Sequence, residues 1–558
     1  MSGRIFKVRS QTESRGGRKN GAGSGEWGVG SEKWGVGSGE WRIGKGKKEL
    51  LCPIPHSPFP IPYSLFAFFA LFAFFASSSH SAPTAKSTTP GGLPDIYVAP
   101  KGSPDGKGTP ERPLDLATVL SPRSPARPGA TIWLRGGVYR GAFTSYLSGS
   151  AQSPITLRQY PGERATIDGA GTPAPPLTIN GGYAIYQGFE VINSSPDRVH
   201  ERPTGVNVLG HHVKLINLVV HDNGIGIGFW APAIDSEIYG CVIHRNGWQG
   251  PAPDRGHGHG VYGQNAEGMK RIVNNIIFDQ YGYGIHNYTQ AGELKGFHIE
   301  GNIIFDNGSI STPNDAGFPN ILVGGYRPAE RITITNNYTY YPDRIFATNV
   351  WLNYSAKNNQ DVTLDGNYIA GGNSPLMMSE WLRARCVNNT LTGFERLVGI
   401  IMPSGVSTSA YVWDNNTYYT NTSTSASPFA LTSQGKLATY PFTDWSRHTG
   451  YDRNSRLIRT ATGRPTGLKI TVLLNQYEAG RANIVVYNWD LKDHVEVDVS
   501  GALRNGDRFE IRNARDFYGQ PVLSGVYSGA PLILPMSASQ PAQEFGAFVL
   551  MKRVDRDN

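Results

Sequence analysis

Three histidines stand where they could share one site. His257 and His259, at i and i+2, close the stretch RNGWQGPAPDRGHGHG (residues 245–260), and His286 follows in GIHNY (284–288). A neutral imidazole accepts or delivers a proton near pH 7. Tyr262 and Tyr288, on the same short segments, carry phenols that hold their protons at that pH, and Gln264 adds a neutral hydrogen-bonding group. Two histidines with Asp254 also suit a metal ion. No further ligand set of matching spacing occurs, which favours one histidine in catalysis or substrate binding and the other in closing the turn. His221 and His244 read differently. They align with Phe278, Phe305 and Tyr340 at later repeats, as members of a stacked aromatic column. Asp222, Asp279 and Asp306, one residue further on, read as solvated turn residues.

The elements that position these groups come from a repeat. Short apolar segments such as KLINLVV, RIVNNIIF, HIEGNIIF and ITITNNYTY recur, each interrupted by Asn or Gly. Aligned on Asn217, Gly240, Asn275, Asn302, Asn337, Asn367, Asn389 and Asn416, they are spaced 22 to 35 residues apart, with a mean of about 28. Periods of that size with no helical pattern and no leucine-rich frame indicate a parallel β-helix with one coil per period. Asn at a coil corner tolerates left-handed φ, and its amide can bond the same Asn one coil away. Cys241 and Cys386 lie five coils apart, too far for a disulfide, and are expected as free core thiols. Cys52 lies in the leader.

A second phrase follows one strand later. Alternation places Ile225, Val261, Ile285, Ile321, Val350 and Leu376 inside, and Gly226, Tyr262, His286, Leu322, Trp351 and Met377 outside. The next outward column holds Gly228, Gln264, Tyr288, Gly324, Asn353 and Ser379. Outward aromatic and polar groups on adjacent strands make a wall suited to sugar rings. The two longest periods carry the insertions 245–260 and DNGSISTPNDAGFP (306–319), and these would flank the coil of His286 as the walls of a cleft.

Composition limits the partners. The 558-residue chain carries a net charge of +8. Residues 1–94 hold 12 Lys/Arg and 5 Asp/Glu, so the remainder is nearly neutral and nucleic acid is a poor partner. Residues 1–60 read as disordered, and the linker-like PTAKSTTPGGLP (83–94) ends the leader. The apolar run Leu65–Ala76, after a basic cluster and before small residues, reads as a secretory signal too short for a stable membrane span. An exported monomer is expected.

The segments DIYVAPKGSPDGKGTPERPLDLATVL and PGATIWLRGGVYRG resemble the opening of secreted right-handed β-helix proteins of the pectate-lyase-like superfamily, and FTDWSRHTGYDRNS (442–455) resembles the phrase that closes the helix in many of them. The resemblance implies an all-β fold: a right-handed parallel β-helix over 95–460, after a leader of 1–94. Alternating strands in 466–554 predict a small antiparallel β-sandwich, similar to accessory domains of carbohydrate enzymes, with the role of a structural cap. GHGVYGQ resembles the GHG strand of polygalacturonase-type hydrolases, but the NTD strand and the paired Asp-Asp of those enzymes are missing. Calcium pectate lyases need an Asp cluster on the outward columns, which contain none, so no cofactor is expected and calcium lacks support.

The expected function is cleavage of a uronic-acid polysaccharide by β-elimination. His286 or His259 would be the base, and Tyr262 or Tyr288 the acid. Gln264, Asn353 and Arg327 would engage the carboxylate, with Trp248, Asp254, His257 and Trp351 as further substrate contacts. An epimerase would use the same groups. A glycoside hydrolase would need two carboxylates, for which Asp254, Asp315 and Glu380 are the candidates. A non-catalytic glycan-binding protein is the third possibility.

Overall fold

A computed structural model describes residues 95–311, 316–421, 426–537 and 542–553. The leader, with its apolar run and Cys52, lies outside the described residues, as does Asp315. Among the described residues, three sheets of twelve strands each wind around one core as a right-handed parallel β-helix. The first sheet runs from Ile96–Val98 to Tyr411–Asp414. The second, here the cleft sheet, runs from Phe143–Ser145 to Phe429–Ser433 and ends in the antiparallel strand Lys436–Tyr440. The third runs from Gly137–Arg140 to Arg456–Thr460. Strands pair with the equivalent strand of the next coil, in register, so residues one period apart are lateral neighbours.

The asparagine repeat proves to be two adjacent columns. Asn217, Gly240, Asn274, Gly301, Asn336, Gly366, Asn388 and Asn415 take left-handed φ between 53° and 67° and turn each coil from the first sheet into the third. The residue after each points inward. From Asn275 through Asn302, Asn337, Asn367 and Asn389 to Asn416, each amide nitrogen donates to the next Oδ1 at 2.9–3.2 Å. Asn217 and Gly240 are therefore one position out of register with the ladder, and no single residue does both jobs. Leu218 and Cys241 stand at the ladder position in their coils, and the Cys241 N–H donates to Asn275 Oδ1 at 2.9 Å. At the other end Asn416 Nδ2 donates to Asp452 at 3.2 Å. Asp452 also accepts from Trp445 Nε1 at 2.8 Å, which ties the closing helix Phe442–Thr449 to the last coil.

The sequence concealed a second ladder. Asn223, Asn246, Gln280, Asn307, Asn320 and Asn349 form a buried chain of amides at the corner leading into the cleft sheet. One member is Gln, which broke the visible pattern. A short helix, Leu116–Leu120, buries Leu116, Val119 and Leu120 at the start of the core, and Cys241 and Cys386 are free and buried, as expected.

The C-terminal strands form a five-stranded antiparallel sheet with a two-stranded partner, and apolar side chains fill the space between them. This sandwich packs along the flank of the helix, against the third sheet, so it is a side buttress and not an end cap. His221, His244, Phe278 and Phe305 stack at 4.5–5.0 Å with ring planes within 11°. Phe305 and Tyr340 both lie against Phe545 of the sandwich. The adjacent aspartates are not solvated. Arg515 of the sandwich bridges Asp279 and Asp306 while its guanidinium covers Phe278 and Phe305, and Asp222 pairs with Arg198 and His221. Burial raises both bridged carboxyls, Asp306 to about 7. Among the described residues no helix is long and apolar enough to cross a membrane.

The ladder carries a measurable share of the stability. Asn337 donates to Ile299 O, Thr335 O and Asn367, and its Oδ1 accepts from Asn302, all within 3.0 Å. Asn337→Ala strands buried partners on both sides and should cost about 2–4 kcal/mol, read as a lower denaturant midpoint. A variant as stable as the parent would show that the ladder contributes nothing net.

Candidate active site

The outer face of the cleft sheet gathers the sequence-predicted groups. The pairing aligns Gly228, Tyr262, His286, Leu322 and Trp351 across successive coils. It also corrects the register at one coil: Ile227, not Ile225, occupies the inward row beside Val261, so Gly228 replaces Gly226 next to Tyr262 and Trp230 replaces Gly228 before Gln264. Leu322 is fully buried rather than part of the exposed wall.

His259 lies just ahead of its strand and reaches the next coil. Its Nε2 is 3.1 Å from His286 Nδ1, and the two rings meet edge to face at 4.4 Å. Tyr262 lies 5.7 Å from His259 and 5.4 Å from His286. The imidazole of His286 is flanked by Tyr283 at 4.3 Å and Tyr288 at 4.8 Å, both stacked. The aromatic surface continues to Trp230 on one side, and to Tyr326 and Tyr354 on the other.

Protonation follows from this packing. Burial lowers His286 to about 3, with the nearby Arg255 guanidinium adding to the effect. Burial, then the charge of a protonated His286, holds His259 well below the ordinary imidazole range. Both rings are neutral at pH 7. The backbone N–H of Tyr283 donates to His259 Nδ1 at 3.4 Å, so the hydrogen of His259 is on Nε2, where it is donated to His286 Nδ1. The hydrogen of His286 is then on Nε2, because its Nδ1 accepts from His259. Burial raises Tyr262 above the usual phenol value, with Gln264 as a hydrogen-bonded neighbour that moderates the shift.

A family model described as "Pel9A-like, right handed beta helix region" matches residues 96–231. The match to this family is confined to the first coils of the helix. It is 40% identical over 88 residues to Pectate lyase PEL9 of Emericella nidulans, which is 15% of this chain and 21% of that protein. It is 25% identical over 236 residues to Pectate lyase L of Thermoclostridium stercorarium, 39% of this chain and 18% of that protein. The chain thus spans about a fifth of the length of either relative. Among solved structures, pectate lyase Pel9A is 20% identical with a TM-score of 0.37, covering 53% of this chain and 78% of that one. A rhamnogalacturonan lyase is 18% identical with a TM-score of 0.42, covering 56% and 83%.

The matched stretch ends at residue 231, before His259, so the site rests on its own geometry. Not every anticipated residue joins it. Trp248, Asp254 and His257 engage one another: the His257 ring stacks on Trp248 at 5.2 Å and its Nε2 lies 2.9 Å from Asp254. Asn353 is buried, with φ of 90°, and its amide binds Ala356 O, Ala356 N–H and Ser379, so it organises a turn and is not free for a carboxylate. Arg327 and Trp351 lie at the wall's far end. Of the hydrolase candidates, Asp254 faces His257, and Glu380 pairs with Lys357 at 2.6 Å. Among the described residues no three His, Cys, Asp or Glu side chains are grouped to hold a metal ion. The wall's phenols, imidazoles and amide are not the carboxylate-rich oxygen set that calcium takes.

Sequence reasoning missed Tyr283, Arg255 and Lys270. Tyr283 sits two residues ahead of its strand, outside the alternation that defined the columns. Arg255 is exposed on the 245–260 loop, close enough to lower both imidazoles, with its guanidinium 5.9 Å from the ring of Phe318. Lys270 is fully buried and donates to the carbonyls of Phe229, Trp230 and Gln264, fixing the strand ends beneath Trp230 and Gln264. Burial lowers it to about 6.

The tautomer assignment is open to nitrogen NMR of the histidine side chains. At pH 7 both His259 and His286 should show a protonated Nε2 and a bare Nδ1. A protonated Nδ1 on His259 would mean that the Tyr283 amide does not set the relay.

Proposed function

We propose that the protein is an exported polysaccharide lyase that acts as a single chain and cleaves a uronic-acid-containing glycan, such as pectate, by β-elimination. The His259–His286 hydrogen bond on the outer wall of the cleft, ringed by phenols, carries this reading. The sequence kinship with two pectate lyases and the apolar run Leu65–Ala76 support it.

β-Elimination removes the C5 proton of the uronate, forms the C4–C5 double bond and expels O4, which takes up a proton. Loss of the His286 Nε2 proton to solvent, movement of the His259 Nε2 hydrogen to His286 Nδ1 and uptake of a solvent proton at His259 Nδ1 leave both rings neutral and expose a lone pair at His286 Nε2. The shift replaces the long Tyr283 bond with two facing donors, His259 Nδ1–H and the Tyr283 N–H, at a cost on the order of 1–3 kcal/mol. His286 then takes the C5 proton, and His259 orients it. An anionic substrate in the cleft raises the imidazole's affinity for that proton. Tyr262, which keeps its hydrogen, protonates O4. Arg255, exposed and in no ion pair with a carboxylate among the described residues, engages the carboxylate of the reacting sugar.

Incubation with polygalacturonate should generate ultraviolet absorbance together with new reducing ends, and His286→Ala should lower the rate by 10²-fold or more. The base must be neutral to work, and its pKa is depressed to about 3. The acid limb of kcat/KM should therefore lie well below the ordinary histidine value of about 6.5, leaving activity level from pH 8 down to about 5. Reducing ends without absorbance would mean hydrolysis, and full activity of His286→Ala would remove the proposed base.

A further inference from the structure

We propose that Tyr326 and Tyr354, backed by Trp351, form a stacking platform for a pyranose ring of the glycan, one to two coils beyond His286, and that Arg327 beside it engages that ring's carboxylate. The inference rests on the reading of the cleft as a glycan-cleaving site and extends it to a part of the substrate that does not react.

Four observations carry it. Tyr326 and Tyr354 are 52% and 42% exposed on the cleft side, where two large rings gain nothing from folding alone. They meet each other at 5.9 Å and Tyr288 at 6.2 and 5.7 Å, all edge to face, so none of the three lies flat on another. The backbone is specialised to place them. Gly324 has φ of 141°, and a Cβ there would lie 2.3 Å from Asn353 Cα; a Cβ on Gly325 would lie 2.2 Å from Thr289 O. Only a pair of glycines lets the chain pass between its neighbours and deliver Tyr326 beside Tyr288. Asn353, in the left-handed region, closes its turn through its own amide and so presents Tyr354. Finally, Trp351 backs Tyr354 at 5.7 Å, while Tyr288 stacks on His286, making one continuous surface from the acid–base groups to the platform. Coils advance by about 4.8 Å, close to the length of one pyranose unit, so the platform meets the glycan one or two sugars from the scissile bond.

The platform should therefore matter for long substrates and not for short ones. Binding is measured by calorimetry on full-length His286→Ala protein, in which turnover should be slowed at least 10²-fold, with digalacturonate, hexagalacturonate, an alginate hexamer and the neutral cellohexaose. The expected result is that Tyr326→Ala/Tyr354→Ala weakens the galacturonate hexamer about tenfold and leaves the dimer unchanged, while Arg327→Gln weakens acidic hexamers alone. In otherwise unaltered enzyme the double variant should raise KM for polymer with kcat nearly constant. Hexamer binding that ignores the double variant would overturn the platform and leave the lyase reading standing. Platform-dependent binding of cellohexaose alone would overturn the uronate reading and the role of Arg327. No binding of any oligosaccharide would overturn both.

Discussion

In-register stacking of parallel coils is the constraint on which everything else depends. Because each strand pairs with its equivalent one coil later, 24 residues of chain between Tyr262 and His286 collapse to a ring separation of 5.4 Å. A slip of one residue would turn every wall residue into the core. Two amide ladders guard against that slip. Apart from Asn307 and Asn320, which join within one coil, the ladder amides bond the equivalent position one coil on, and a shifted register would leave a column of buried amides unpaired. The ladders are placed at corners rather than in strands, where the chain must turn and the backbone cannot satisfy itself.

The flanking sandwich secures the third sheet, on the side away from the cleft sheet's wall. Its aromatic interface, with Arg515 between Asp279 and Asp306, leaves the cleft sheet as the face whose rings are not covered by another layer. On that face, burial by neighbouring rings does the electrostatic work: it keeps two imidazoles neutral and lets backbone and ring nitrogens fix where their hydrogens sit. Lys270 beneath the wall and the glycine pair 324–325 at its far end hold the two extremes of the same surface.

Much of this was legible in the chain because a solenoid writes its geometry as a period. The coil repeat, the buried thiols, the aromatic column of His221 and His244, and the nearness of His259, Tyr262 and His286 all follow from spacing. What was not legible depends on single-residue offsets or on side-chain partners. Asn217 and Gly240 looked like ladder members because two neighbouring columns are both rich in Asn. Ile225 and Ile227 satisfy the same alternation, so only the pairing tells them apart. Asp279 and Asp306 looked solvated because Arg515 is more than 200 residues away in sequence. Asn353 looked like a ligand until its left-handed φ and saturated amide showed it to be a turn. Tyr283 acts through a backbone N–H, which no side-chain pattern reveals.

The most direct test of the central claim is a double-mutant cycle on His259 and His286, with kcat/KM on polygalacturonate as the readout. If the two imidazoles work as one hydrogen-bonded relay, each alanine variant alone should be severely impaired, and the double variant should be little worse than the poorer single one. Effects that multiply independently, or a His259→Ala enzyme with full activity, would contradict it.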